Sequence, residues 1–69
     1  MIVHLISGTK TYIEVVLGYL RISKSISDYG EIRERRGVYV VDVKLKKPFK
    51  DVAADIQSRF GRFAEIRRT

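Results

Sequence analysis

The chain has no cysteine, tryptophan or asparagine among its 69 residues, and only one each of proline (Pro48), methionine (Met1), histidine (His4) and glutamine (Gln57). Each scarcity excludes something. Without cysteine there is no disulfide and no thiolate metal site, and one histidine cannot build a cluster, so neither a metal nor a cofactor is expected. No apolar run approaches the roughly 18 residues of a membrane helix, so no membrane partner is expected. The N-terminus, MIVHLISG, lacks the basic start and long apolar segment of a secretory signal, which makes the cytoplasm the expected location. Few thermolabile residues beside abundant Arg, Lys, Glu, Ile and Val suit a thermophile. The length predicts one domain, 1–69, near the lower limit at which a single core offsets chain entropy, so self-association is expected from size alone.

What the chain has in excess is positive charge: fourteen Lys and Arg against eight Asp and Glu, a formal net charge of +6. Polyanions are the natural partners of such a surface, although the same charge also serves solubility.

Met1 to Ile6 reads as a strand, with Val3 and Leu5 on one side and Ile2, His4 and Ile6 on the other, entering a Ser7-Gly8-Thr9 turn. Thr11 and Glu14 have the spacing of a capping box and predict a helix start, with Tyr12, Ile13, Val16, Leu17, Tyr19, Leu20 and Ile26 as its apolar stripe. Gly18 lies inside that helix, as a point of close packing or a tolerated weakness. Ser27-Asp28-Tyr29-Gly30 reads as a turn, and Glu31 to Arg35 as a charged edge strand.

After Arg36-Gly37 comes the most strand-like segment, Val38 to Leu45, whose period of two assigns Tyr39, Val41, Val43 and Leu45 to the core and Val38, Val40, Asp42 and Lys44 to the other face. Pro48 opens a second helix carrying Phe49, Val52, Ala53, Ile56 and Phe60. Asp51 and Asp55 lie toward its start, Arg59 in its last turn, and Gly61 at its stop. Arg62 to Arg67 alternates as a last strand, Phe63, Glu65 and Arg67 facing one way.

The order strand, helix, strand, strand, helix, strand predicts an α+β fold of the ferredoxin-like split βαβ kind (βαββαβ), a four-stranded antiparallel sheet with two helices on one face. The usual strand order of that fold would bring Lys10, Arg35, Arg36 and Arg62, with Arg59, beside the N-terminus of the first helix, where backbone N–H groups favour an anion. The opposite end would collect Lys44, Lys46, Lys47 and Lys50, with Lys24, Arg67 and Arg68. The sheet face away from the helices would show Val38, Val40 and Phe63, with Ile2 and Ile6, an apolar surface suited to an oligomer interface.

Arg36-Gly37 and Val41 match part of the signature strand of the RNA recognition motif, which this segment resembles. Yet the stacking positions hold Val38 and Val40 instead of rings, and Tyr39 has the wrong parity. The element order is also similar to that of acylphosphatases, but Lys10 stands where their phosphate-binding turn carries Arg, and there is no Asn to position water. Ser7-Gly8-Thr9-Lys10-Thr11 lacks the two spaced glycines of a P-loop. His4 reads as a packed or surface histidine, and Glu31, Glu34 and Asp42, interleaved with Arg33, Arg35 and Lys44, as cross-strand partners, so no enzyme is expected.

Two functional expectations follow. One is a small basic module binding RNA or DNA through phosphates, as a homodimer formed through its open sheet face or an edge. The other is a protein-interaction or regulatory module, resembling ACT-type domains in order and size, that self-associates through the apolar sheet face.

Overall fold

The computed structural model describes residues 1–68. Strand β1 (Ile2–Ser7) leads into helix α1 (Lys10–Ile22); β2 (Ile26–Tyr29), β3 (Arg33–Arg35) and β4 (Val38–Leu45) follow, then α2 (Phe49–Phe60), a 3-10 turn at Gly61–Phe63, and β5 (Ala64–Arg68). The sheet is antiparallel in the order β2-β4-β1-β5, with β3 also paired to β4, which is the ferredoxin-like split βαβ arrangement with its edge strand divided in two. Val3, Leu5, Val41, Val43, Ala64 and Ile66 point from the sheet into a core closed by Ile13, Val16, Leu17 and Leu20 of α1 and Val52 and Ile56 of α2. The period of two in β4 therefore holds for the core side: Val41, Val43 and Leu45 are buried and Tyr39 is half-buried against them.

Three local assignments differ from the sequence pattern. First, α1 starts two residues before the expected capping box: Thr9 is the N-cap, and its hydroxyl accepts from the Tyr12 N–H at 3.2 Å. Second, α1 stops at Ile22, so Ile26 is a buried strand residue instead of the end of the helical stripe. Lys24 adopts φ 59°, the Ser25 N–H bonds the Leu20 carbonyl at 2.9 Å and the Lys24 N–H bonds that of Arg21 at 3.1 Å. That pair of bonds is a Schellman closure with lysine where glycine is usual. Third, Ser27-Asp28-Tyr29 forms a strand against β4 with a register irregularity between Ile26 and Asp28, so the expected turn is a bulged edge. Gly30 donates to the Asp42 carbonyl at 2.9 Å as the chain crosses from β2 to β3.

The β3–β4 connection turns on Arg36 (φ 51°) and Gly37 (φ 83°), and positive φ at both central residues is the signature of a type I′ hairpin matched to the twist of the strands. Gly61 closes α2 at φ 59°, ψ −127°, a conformation that only glycine adopts readily. Gly18, in contrast, has negative φ and open space where a Cβ would stand, so it is a weak point and not a packing contact.

The helices are clasped to each other by polar groups. The Tyr19 hydroxyl donates to Asp55, Arg59 donates to the same carboxylate at 3.1 Å, and the guanidinium of Arg59 lies 4.6 Å from the Tyr19 ring centroid, with Phe60 edge-on to that ring. The Tyr19 hydrogen bond, with help from Arg59, holds the Asp55 carboxyl below its ordinary value, and the same bond to Asp55, with desolvation, raises the Tyr19 phenol. A lowered carboxyl stabilises the fold while ionised, so its contribution is present at neutral pH and is lost as pH falls through the folded-state value. A raised phenol stabilises while protonated, and its contribution is lost as pH rises past about 10.

Two sets of variants check these local readings by urea unfolding. Gly18→Ala and Lys24→Gly are each expected to stabilise by about 0.5–1 kcal/mol, and Gly61→Ala to destabilise by about 1–3 kcal/mol. Across a pH series, Asp55→Asn is expected to flatten the loss of stability below about pH 4, and Tyr19→Phe the loss above about pH 10.

Candidate functional site

The sheet register sets one end of the domain. Ser7 pairs with both Tyr39 and Ala64, and Arg35 pairs with Val38, so the β1–α1 loop, the Arg36-Gly37 turn and the Gly61–Phe63 turn lie at the same end. From β3 across β4 and β1 to β5 is three interstrand spacings, roughly 14 Å. The four basic residues expected there do reach this end, with Arg62 and the Arg35-Arg36 tip lining separate hollows. Arg62 shares a hollow of about 320 Å³ with Gly8, Thr9, Tyr12 and Phe63, and Lys10 is the exposed first residue of α1 beside it. Arg35 and Arg36 line a separate hollow at the hairpin tip. Among the described residues none of the four takes part in an ion pair. Arg59, expected to join them, is engaged with Asp55 and Tyr19 between the helices.

The electrostatics of the two helix starts differ. The first turn of α2 carries Asp51, which complements the positive end of the helix dipole. The first turn of α1 has no acidic residue and begins with Lys10, a cation at a position where an anion is favoured.

Phe63 is a correction to the sequence reading. Strand alternation puts it on the open sheet face with Val38 and Val40, but the chain is still in the 3-10 turn at that position, and the strand starts only at Ala64. Its ring instead stacks on Tyr12 with centroids 4.9 Å apart and planes within 3°, leaving Phe63 55% exposed. The turn is held from below by the buried Ser7, whose hydroxyl donates to the Phe63 carbonyl at 2.5 Å. Alternation across 62–67 hides this ring in the sequence. Its only sequence signal is the Gly61 stop two residues before it, which permits a turn ahead of the strand.

The open sheet face is mixed and not apolar. Val40, flanked by Ile6 and Arg33, is already 9% exposed within the monomer, so it cannot offer much surface to a partner, while Val38 and Ile2 are exposed. Between them runs a polar row in which Asp42 is bonded by His4 Nδ1 at 2.6 Å and by Arg33 at 3.2 Å. Arg33 and Asp42 are thus the cross-strand partners that their interleaving predicted, and His4 is a half-buried surface histidine.

The second basic group is divided by its surroundings. Lys47 donates to the Ser23 carbonyl at 2.9 Å and so closes the end of α1, Lys44 lies on the sheet face opposite Ile2, and Lys46 and Lys50 are exposed beside Pro48 and in the first turn of α2. Arg68 covers the Phe49 ring at 4.8 Å. No helix among the described residues is long and apolar enough to cross a membrane. No family model, curated protein or solved structure matches this chain.

Ser7→Ala is expected to cost about 0.5–1.5 kcal/mol in urea unfolding, because it leaves the Phe63 carbonyl without its donor. The near-ultraviolet circular dichroism of the Tyr12–Phe63 pair should weaken in the same variant while the far-ultraviolet spectrum is kept.

Proposed function

We propose that the chain is a non-enzymatic nucleic-acid-binding module that grips the phosphates of a single strand along the line Arg35, Arg36, Lys10, Arg62 and stacks a base on Phe63. The observation that carries this reading is the start of α1: a helix N-terminus with a cation and no acid in its first turn, sharing a hollow with Arg62, which makes no ion pair among the described residues. That arrangement is unfavourable for the isolated domain, by about 0.3–1 kcal/mol for a charge at a helix end, and becomes favourable when an anion lies there. The roughly 14 Å from β3 to β5 suits a strand better than a compact anion, since nucleic acid places several phosphates over that length. The exposed face of Phe63 adds a platform that any base can use.

Phosphate contacts of this kind carry no sequence information, so binding is weakly specific and steeply dependent on salt. Lys44, Lys46, Lys47 and Lys50 belong to this reading as a weaker set, because Lys47 already serves the fold. The alternative, a protein-interaction or ACT-like module working through the sheet face, has less support. Its exposed apolar residues are Ile2 and Val38, on either side of the Asp42 row, with Ile6 half-buried and Val40 covered.

Fluorescence anisotropy with a labelled oligonucleotide tests the proposal. Arg35→Glu combined with Arg36→Glu should weaken binding at least about tenfold at low salt and reduce the slope of log K against log salt by about 0.7 for each phosphate no longer neutralised. Phe63→Ala should cost about 1–3 kcal/mol for a single strand and little for a duplex. Unchanged affinity in both variants, or no binding at low salt, overturns it.

A further inference from the structure

The strand β5 ends the sheet on one side, paired only to β1 among the described residues. A groove of about 590 Å³ runs between it and α2, lined by Ala53, Gln57, Gly61, Arg62, Glu65 and Ile66 among others. An edge of this kind presents a row of backbone donors and acceptors, and short charged edge strands are commonly protected against pairing. Here the charges do the opposite, because their order is self-complementary. In Ala64-Glu65-Ile66-Arg67-Arg68, Glu65 and Arg67 flank Ile66 symmetrically, and both project on the open sheet face, where they lie opposite Ile6 and His4 on the β1 side.

We infer that β5 is a homodimerisation edge, pairing antiparallel with the β5 of a second copy about a two-fold axis at Ile66. In that register Glu65 faces the partner's Arg67 and Arg67 faces the partner's Glu65, directly across the new strand pair. Backbone geometry admits only registers that differ by two residues, since a shift of one puts inward-facing groups against outward-facing ones and exchanges the two faces of the sheet. A shift of two in one direction sets Glu65 against the partner's Glu65, and in the other sets Arg67 against the partner's Arg67. Like charges directly opposite are destabilising, so one register is selected.

Within one chain Glu65 and Arg67 are bonded to each other at 3.1 Å while both stay more than half exposed, which leaves each free to take a second partner across the seam. The residues of α2 that line the groove, Ala53, Ile56 and Gln57, carry no charge, and the charged residues of its lining, Arg62 and Glu65, come from the turn and from β5 itself. The two-fold also sets the Arg62 end of one β5 beside the Arg68 end of the other. Basic residues at opposite ends of one domain thereby become neighbours in the dimer.

Sedimentation equilibrium of the full chain without nucleic acid tests this independently of the proposed binding. The expected mass is that of two chains, concentration-dependent at the dilute end. Glu65→Arg and Arg67→Glu, each alone, should weaken association at least about tenfold, and the double exchange Glu65→Arg with Arg67→Glu should restore it, with circular dichroism confirming that all three fold. The restoration distinguishes this register from a dimer through the sheet face, which Val38→Lys would dissociate and the edge dimer would survive. A single-chain mass at millimolar concentration, or association unaffected by the single exchanges, overturns the inference.

Discussion

The pairing of β1 with β4, from Ile2 opposite Lys44 to Ser7 opposite Tyr39, is the constraint on which the other elements depend. It places Val3 and Leu5 beside Val41 and Val43, all without solvent exposure, and both helices pack on the surface these side chains make. A slip of one residue would turn Val3 and Leu5, or else Val41 and Val43, outward and drive His4 or Asp42 into the core, so the register is strongly specified. The His4–Asp42 bond on the far side adds to the same specification, because it joins residues directly opposite in this register alone. The site inherits its geometry from this pairing: Ser7 ends β1 beside the start of β5, and the same row leads to the hairpin turn of β3 and β4.

Local chemistry explains which parts of this structure could be seen in the sequence. The core strand Val38–Leu45 and both helices were legible because apolar periodicity and burial coincide there. The Arg36-Gly37 turn was legible because glycine marks it. The end of α1 was not, because Lys24 occupies the left-handed position that glycine normally signals, and Ile26 happened to continue the helical stripe. Thr9 and Thr11 compete for the same cap, and the capping-box spacing favoured the wrong one. The first part of the edge strand, Ile26–Tyr29, was hidden by turn-forming residues that serve a bulge, and Phe63 by an alternation that begins before the strand does.

For the site, sequence order alone brought Lys10, Arg35, Arg36 and Arg62 to one end. It could not show that Arg62 and the Arg35-Arg36 tip line separate hollows, or that Tyr12 and Phe63 stack beside Arg62. The distribution of acids matters as much as that of bases. Asp42, Asp55 and Glu65 are committed to Arg33, Arg59 and Arg67, so most of the local neutralisation happens on the sheet face and between the helices. The hairpin tip and the α1 start keep their charge. A domain so short has little stability to spare, and a cation at a helix N-terminus is a cost that a ligand can offset.

Chemical-shift perturbation on the isotopically labelled protein, titrated with a short single-stranded oligonucleotide at low salt, tests the proposed interface most directly. The expected shifts fall on the amides of Gly8, Thr9, Lys10, Arg36, Gly37, Arg62 and Phe63 and shrink together as salt is raised. Shifts confined to Ile2, His4, Val38 and Asp42 on the sheet face, or none at any site, would contradict the assignment of this end of the domain as the binding surface.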